Sequence, residues 1–270
     1  MPITTPSELR QFLISLGISA RKAFSQNFLI DQNIVQKILS EADLKDGDSI
    51  LEIGPVPGAL TEQILKKNVS LTAVEYDRAL AKALERFDNL PGHLTIAQQD
   101  FLKFPLENLT TPTKVIANLP YHISTVILER LLLAKNLFSD FVLMFQQEYI
   151  NRISAPPSCK DFGALTIFIN FYCDIVQTFP VSRNCFYPSP NVDSAVIHLR
   201  PKRVLPEVDE AAFFTFVRNL FSQRRKTLLS RLKKINSQAE EKLTSLSICK
   251  NARPENLGLE QWIALFKSLH

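Results

Sequence analysis

The chain has no apolar run approaching the ~20 residues that span a bilayer as a helix, so no membrane partner is expected. Its first residues lack the basic-then-apolar pattern of a secretory signal, and export is not expected. Cysteine is sparse. Cys159, Cys173, Cys185 and Cys249 lie 14, 12 and 64 residues apart, with no Cys-x-x-Cys pair. The four histidines show no metal-ligand spacing. A disulfide scaffold and a zinc module are therefore excluded, and the thiols read as reduced core residues of a cytoplasmic, metal-free protein. Glycine is scarcer still for the length, at seven in 270 residues. No internal repeat or low-complexity segment is present.

What is there is ordinary for a globular chain: 46% hydrophobic and 21% charged residues. The formal net charge of +4 is unevenly spread. Residues 201–270 carry 13 Lys and Arg against 7 Asp and Glu, whereas residues 1–200 carry 18 against 20. From Arg218 to Lys234 there are seven basic residues and no acidic one. A basic tail on a near-neutral body points to a polyanionic partner.

Two of the seven glycines fall within Gly54-Pro55-Val56-Pro57-Gly58, directly after the apolar strand Ser49–Ile53 and before a helix from about Ala59. A strand, a glycine turn and a helix N-terminus form a nucleotide-binding element. Glu75 ends a second strand, Leu71–Glu75, 21 residues after Gly54. That spacing suits a carboxylate accepting ribose hydroxyls. Asp100 follows a third strand, Leu94–Ala97, and is placed to receive an adenine amino group. Further strands are expected over Val115–Ala117, Phe141–Phe145 and Ser194–Leu199, with helices between. Gly163–Cys173 reads as helix or strand by composition alone. The alternation implies a doubly wound α/β sheet with ligand sites at the carboxyl ends of its strands. After Pro206 the chain reads as helices, including a continuous one over Arg224–Lys234. Near the N-terminus, Thr5 and Glu8 form a capping box for a helix ended by Gly17, and Asp31 caps the next helix.

The stretch Val115–Tyr121 runs from a buried strand into Asn118-Leu119-Pro120-Tyr121. Asn118 offers an amide oxygen as acceptor. Pro120 has no N–H and pushes Leu119 into an extended conformation, which leaves the Leu119 carbonyl to face a ligand. Tyr121 offers a ring face to an extruded base. Two acceptors and a stacking face are what alkylation of an exocyclic amine on a flat base requires, because hydrogen bonds to both N–H groups free a lone pair otherwise delocalised into the ring.

Together these stretches resemble the KsgA-type ribosomal RNA small-subunit adenine dimethyltransferases. The residues that carry the resemblance are Ser25-Gln26-Asn27-Phe28-Leu29, Glu52-Ile53-Gly54-Pro55, Gln99-Asp100, Asn118-Leu119-Pro120-Tyr121, Gln146 with Glu148, Phe186–Val192 leading into Asp193-Ser194-Ala195-Val196, and Phe221–Thr227. The resemblance implies a mostly parallel, seven-stranded Rossmann-like methyltransferase sheet over residues 1–203 and a small all-α, RNA-contacting domain over residues 204–270. It implies S-adenosyl-L-methionine as methyl donor, bordered by Asn27 and Leu29, passed by Gly54, held by Glu75 and Asp100, and faced by Asn118. It implies that Tyr121 and Phe186 sandwich the target adenine, and that Arg224, Arg225 and Lys226 meet RNA. The implied partner is the small ribosomal subunit, with two adjacent adenines near the 3′ end of its RNA dimethylated on N6 by a monomeric enzyme. One residue departs from the family pattern of Gly-Pro-Gly-x-Gly: Val56 stands where the second glycine belongs. A β-branched residue tolerates positive φ badly, so the loop either takes negative φ there or stores strain.

Duller roles exist for several of these residues. Glu75 suits a solvated strand end, Asp100 a turn cap, Phe186 a core aromatic and Arg224–Lys226 a solvated face. Two other functions compete: adenine methylation of large-subunit RNA, and a ribosome-assembly factor without catalysis. A dinucleotide oxidoreductase fits poorly, because Gly54-x-Val56-x-x-Ala59 breaks the Gly-x-Gly-x-x-Gly pattern.

Overall fold

The computed structural model describes residues 3–18 and 27–270, so Ser25 and Gln26 of the first motif lie outside the described residues. Contacts divide the chain into two compact units. The first is Met1–Gln147 with Ile175–Pro201, and the second is Glu148–Asp174 with Lys202–His270. The C-terminal unit thus takes in an insert, residues 148–174, that the sequence reading assigns to the catalytic domain. The sequence shows no composition break at either end of that insert.

Among the described residues the first unit is built on nine strands: β1 (Phe28–Leu29), β2 (Ser49–Ile53), β3 (Ser70–Glu75), β4 (His93–Gln98), β5 (Thr113–Asn118), β6 (Phe138–Gln146), β7 (Cys173–Val181, from its third residue), β8 (Phe186–Tyr187) and β9 (Ser194–Pro201). Among the described residues five helices accompany them: α1 (Pro6–Ser15), α2 (Gln32–Ala42), α3 (Ala59–Leu65), α4 (Arg78–Ala83) and α5 (Ser124–Leu133). Seven strands form one sheet in the order β4-β3-β2-β5-β6-β9-β7, in which β2 to β6 are mutually parallel and β9 runs antiparallel to β6. This is the expected Rossmann-like sheet. β7, which the sequence did not reveal as a strand, closes its far edge; its residues alternate irregularly and lack an apolar run.

The central strands are mostly apolar because both faces of the sheet are covered. Ile50, Leu51, Val115, Ile116, Phe141 and Leu143 are all buried. The caps fall where expected. The Thr5 side chain accepts from the Glu8 amide in a capping box, and Asp31 accepts from the amides of Asn33 and Ile34. At the centre of the sheet, β2 is flanked by β3 on one side and β5 on the other. The chain reverses direction of winding there, and the carboxyl ends of β2 and β5 lie side by side, with Glu52 opposite Ile116. Sheets of this kind bind ligands at that switch point.

The second unit contains α6 (Gln147–Ile153, from its second residue), α7 (Ala164–Tyr172), α8 (Glu210–Phe221), α9 (Leu228–Leu232), α10 (Ala239–Ser245) and α11 (Leu259–Leu269). Its core is aromatic: Phe171, Phe213 and Trp262 are fully buried, and Phe221 stacks on Trp262 at 5.4 Å between centroids. The aromatics of α8 are therefore core residues rather than base-stacking ones. The expected continuous helix over Arg224–Lys234 is not formed. Residues 222–226 turn, and Thr227 starts α9 by accepting from the Ser230 amide. A local threonine cap competes successfully with helix continuation. Among the described residues, no helix is long and apolar enough to cross a membrane.

Candidate functional site

The glycine turn after β2 takes its positive φ at Gly54 (66°) and Gly58 (95°), and Val56 is not among the positive-φ residues. The loop therefore seats the β-branched residue without positive φ, ahead of a cis Val56–Pro57 peptide bond. The Gly54 amide donates to the Val74 carbonyl at 3.0 Å, which ties the turn to β3. A Cβ built on Gly54 would stand 4.0 Å from Pro120 Cδ, so the turn and the Asn118–Tyr121 corner face each other closely.

The corner itself is pinned from three sides. The Leu119 amide donates to the Met144 carbonyl of β6 at 3.3 Å, the Pro120 carbonyl accepts from Ile123, and Ser124 Oγ donates to the Tyr121 carbonyl at 3.0 Å. The Tyr121 hydroxyl lies 2.6 Å from Oγ of fully buried Ser194 at the start of β9. Burial pushes the Tyr121 phenol up, so it stays neutral. Among the described residues nothing donates to the Asn118 side chain or to the Leu119 carbonyl. Two acceptors thus remain uncommitted at the end of β5, where the backbone around them is fixed.

Glu75 is nearly buried at the end of β3, and its Oε1 accepts from the Asp77 amide at 2.8 Å. Asp100 caps the turn after β4, with Oδ1 accepting from Leu102 at 2.9 Å. The turn-cap role weighed for Asp100 is therefore real, and only its second oxygen is left for a ligand. Strands β1 and β8 pair antiparallel and put Leu29 opposite Phe186. This small ribbon joins the first motif to the Phe186–Val192 loop, a pairing that 157 residues of separation hide in the sequence. Phe186 is only 3% exposed and belongs to the same core cluster as Leu29, Val142 and Met144. Its ring has no open face in this conformation, unlike half-buried Tyr121. Asn27 is half-buried next to this ribbon.

Sequence pattern alone assigns no role to Glu52. It lies one residue before the end of β2, is 1% exposed, and accepts from Thr61 Oγ1 at 2.7 Å. Burial, helped by the charge of Glu75, pushes its carboxyl up to about 8 despite the Thr61 hydrogen bond. A carboxylate inside an otherwise apolar strand is the signal that marks it. The raised value has a definite consequence. The folded state holds the Glu52 proton more tightly than the unfolded chain, so this group favours folding fully below about 4.5 and loses that contribution as pH rises through about 8. Glu52→Gln should therefore raise the melting temperature at pH 8 and leave it nearly unchanged at pH 4.5. Thermal melts across that range check the prediction, and a pH-independent difference would contradict it.

In the second unit, Arg152, Lys160, Asp161, Phe221 and Arg224 line a cleft of about 400 Å³. Arg224 Nε is 4.0 Å from Glu255, while Arg225 and Lys226 are exposed on the turn that follows. The breaking of the expected helix brings these three side chains onto a turn rather than a helix face.

The residues present fit an adenosyl sulfonium. Two carboxylates, Glu75 and Asp100, stand at adjacent strand ends where a ribose and an adenine could be met, and a glycine turn allows close approach. Among the described residues no group of three potential metal ligands is assembled.

Comparison with known proteins identifies the family. The family model for ribosomal RNA adenine dimethylase matches residues 17–270. Ribosomal RNA small subunit methyltransferase A of Protochlamydia amoebophila is 43% identical, over 100% of this chain and 98% of its own. The protein of that name from Chlorobaculum tepidum is also 43% identical, over 93% of this chain and 90% of its own. Among solved structures, a dimethyladenosine transferase from Plasmodium falciparum superposes with a TM-score of 0.75 at 24% identity, covering 88% of this chain and 95% of that one. The 23S rRNA methyltransferase ErmE superposes with a TM-score of 0.71 at 26% identity, covering 90% and 99%. With residues 17–270 matched by its model, the chain belongs to the ribosomal RNA adenine dimethylase family.

Proposed function

We propose that this protein transfers methyl groups from S-adenosyl-L-methionine to N6 of two adjacent adenines near the 3′ end of small-subunit ribosomal RNA, giving N6,N6-dimethyladenosine during subunit biogenesis. The observation that carries this reading is the pinned Asn118–Tyr121 corner, with its two uncommitted acceptors beside Gly54. The identity of 43% to proteins named for the small subunit, against 26% to ErmE, favours the small-subunit substrate over large-subunit RNA. Intact Glu75, Asp100 and Asn118 argue against an assembly factor without catalysis.

When bound, the donor supplies an electrophilic methyl group on a sulfonium. Glu75 accepts from the ribose hydroxyls, and the second oxygen of Asp100 accepts from the adenine amino group. Gly54, Asn27 and Leu29 border the donor, with the Glu52 carboxyl behind. Tyr121 stacks the extruded target base. Asn118 Oδ1 and the Leu119 carbonyl accept from the target N6–H groups and draw that nitrogen toward tetrahedral geometry, and Pro120 keeps the carbonyl aimed. Asn118 thus touches both donor and target. Catalysis is positioning and electrostatics, with no covalent enzyme intermediate and no metal required. Phe186 completes a base sandwich only if its ring leaves the core cluster; as folded, it supports Leu29.

Arg224, Arg225 and Lys226 act as the RNA contact, with Arg152 and Lys160 adding to the same positive cleft. The protein works as a cytoplasmic monomer on the small subunit. Reversing charge at Arg224 and Arg225 should weaken binding to the RNA and lower the slope of log affinity against log salt by about 0.7–0.9 per lost phosphate contact. An unchanged slope in a salt titration would remove these residues from the interface.

The function itself is tested by radiolabelled methyl transfer onto unmethylated small and large subunits, followed by nucleoside analysis. Label appearing as N6,N6-dimethyladenosine in the small-subunit RNA is the expected result. Label in large-subunit RNA alone would select the ErmE-like alternative, and none in either would end the methyltransferase reading.

A further inference from the structure

Arg86 lies outside every motif that carries the family resemblance. It sits in the short turn Leu84–Phe87 after α4. Its guanidinium carbon stands 4.4 Å from the ring centroid of Phe12 on α1 and 4.3 Å from that of Phe87. The same group donates through Nη2 to the Pro57 carbonyl, and through Nη1 to the Ala83 carbonyl at 2.9 Å. Pro57 belongs to the glycine turn after β2. Although Arg86 is an exposed residue, its charged head is thus held by two rings and two carbonyls.

The neighbouring residues are fitted to it. Gly58 takes φ of +95°, and a Cβ there would meet Phe87 Cε2 at 2.5 Å and Arg86 Nη2 at 3.0 Å. Val56 packs against the cluster of Leu9, Leu13, Phe28 and Leu80, so α1 also lies against the turn. Gly58 donates to the Pro55 carbonyl at 2.7 Å and accepts from Glu62 as α3 begins. The carbonyl that Arg86 holds therefore sits between these two bonds.

We propose that Arg86, braced by Phe12 of α1, is a positioning residue for the methyl-donor turn. The inference rests on the donor-binding role proposed above for Gly54–Gly58. A planar guanidinium held between two rings loses little further freedom when it bonds a carbonyl. Fixing the Pro57 carbonyl fixes the peptide that leads into Gly58 and the first amides of α3. Without the guanidinium, the turn must be ordered by the donor itself, which weakens donor binding. The target acceptors, Asn118 and Leu119, are anchored to β6 instead and keep their geometry. The effect therefore belongs to donor affinity and not to the transfer step.

The test uses the full chain with Arg86→Ala, Arg86→Lys, Phe12→Leu and the double variant Phe12→Leu/Arg86→Ala. S-adenosylhomocysteine binding is measured by calorimetry, and methyl transfer to unmethylated small subunits by steady-state kinetics. Arg86→Ala should weaken binding and raise the donor KM by roughly 10-fold, the scale of one charge-assisted hydrogen bond at a partly exposed site. The kcat at saturating donor and the KM for the subunit should stay within about twofold. Arg86→Lys restores the hydrogen bond without the stacking and should fall between. Phe12→Leu should shift donor affinity the same way by about 3-fold, and the double variant should be no worse than Arg86→Ala alone. Donor affinity unchanged in both Arg86→Ala and Phe12→Leu would overturn the brace, as would a fall in kcat with donor KM unmoved. If Arg86→Ala does not fold, Phe12→Leu and Arg86→Lys decide by the same readouts. A wild-type chain that binds no S-adenosylhomocysteine overturns the donor reading itself, which distinguishes that failure from failure of the brace.

Discussion

Asn118→Ala is expected to lower the methyl-transfer rate by about 10²–10³-fold at saturating substrates, the range found when one preorganised polar contact is removed from a reacting centre. The side chain is half-buried at the end of β5 and has no hydrogen-bond partner among the described residues. Its loss therefore breaks no bond within the described fold, and the melting temperature should change little. The corner stays in place, because Leu119 is bonded to Met144 and Tyr121 is bonded through Ser124 and Ser194. Donor affinity should fall only modestly, since the proposed ribose and adenine contacts of Glu75 and Asp100 remain. Single-turnover rates with each subunit, alongside thermal melts, separate these effects. A variant that transfers methyl groups at near the wild-type rate would show that nitrogen activation happens elsewhere.

Glu75→Ala should weaken binding of the donor by roughly 100-fold, because a carboxylate accepting from two hydroxyls makes charge-assisted bonds that water in its place does not match. Glu75→Gln separates two contributions. It retains an oxygen for the Asp77 amide, which Glu75 Oε1 now holds at 2.8 Å, and it removes the charge. Removing the charge also relieves Glu52, whose carboxyl is raised partly by its neighbour. The pH at which Glu52 stops favouring the fold should therefore move down in Glu75→Gln, in the direction opposite to a simple loss of structure. Calorimetric titration and melts against pH measure both. Donor affinity unchanged in Glu75→Ala would move the ribose site away from β3.

Some of this was written into the chain locally. Thr5 with Glu8, and Asp31, cap helices because an oxygen two or three residues away from an open amide needs no tertiary help. The strands β2, β3, β5 and β6 showed as apolar runs because parallel strands covered on both faces have no polar side to display. Asn118-Leu119-Pro120-Tyr121 was legible because proline constrains its own neighbours. By contrast, β7 and the two-residue strands β1 and β8 were invisible, since their identity lies in partners far along the chain. The helix expected at Arg224–Lys234 failed because Thr227 takes the local amide and Leu228 donates to Ala252, a distant carbonyl.

The sequence by itself determined the strand–turn–helix order, the polar residues at the strand ends and the acceptor corner, because these depend on periodicity and on contacts a few residues apart. Tertiary structure alone decided that Glu52 is buried beside Glu75, that Phe186 packs inward against the core with Leu29 opposite it in β1, that residues 148–174 join the C-terminal unit, and that Arg86 reaches Pro57. Each of those depends on which distant segments share a volume. No local pattern encodes that, because burial and charge coupling arise only once the strands have been brought side by side.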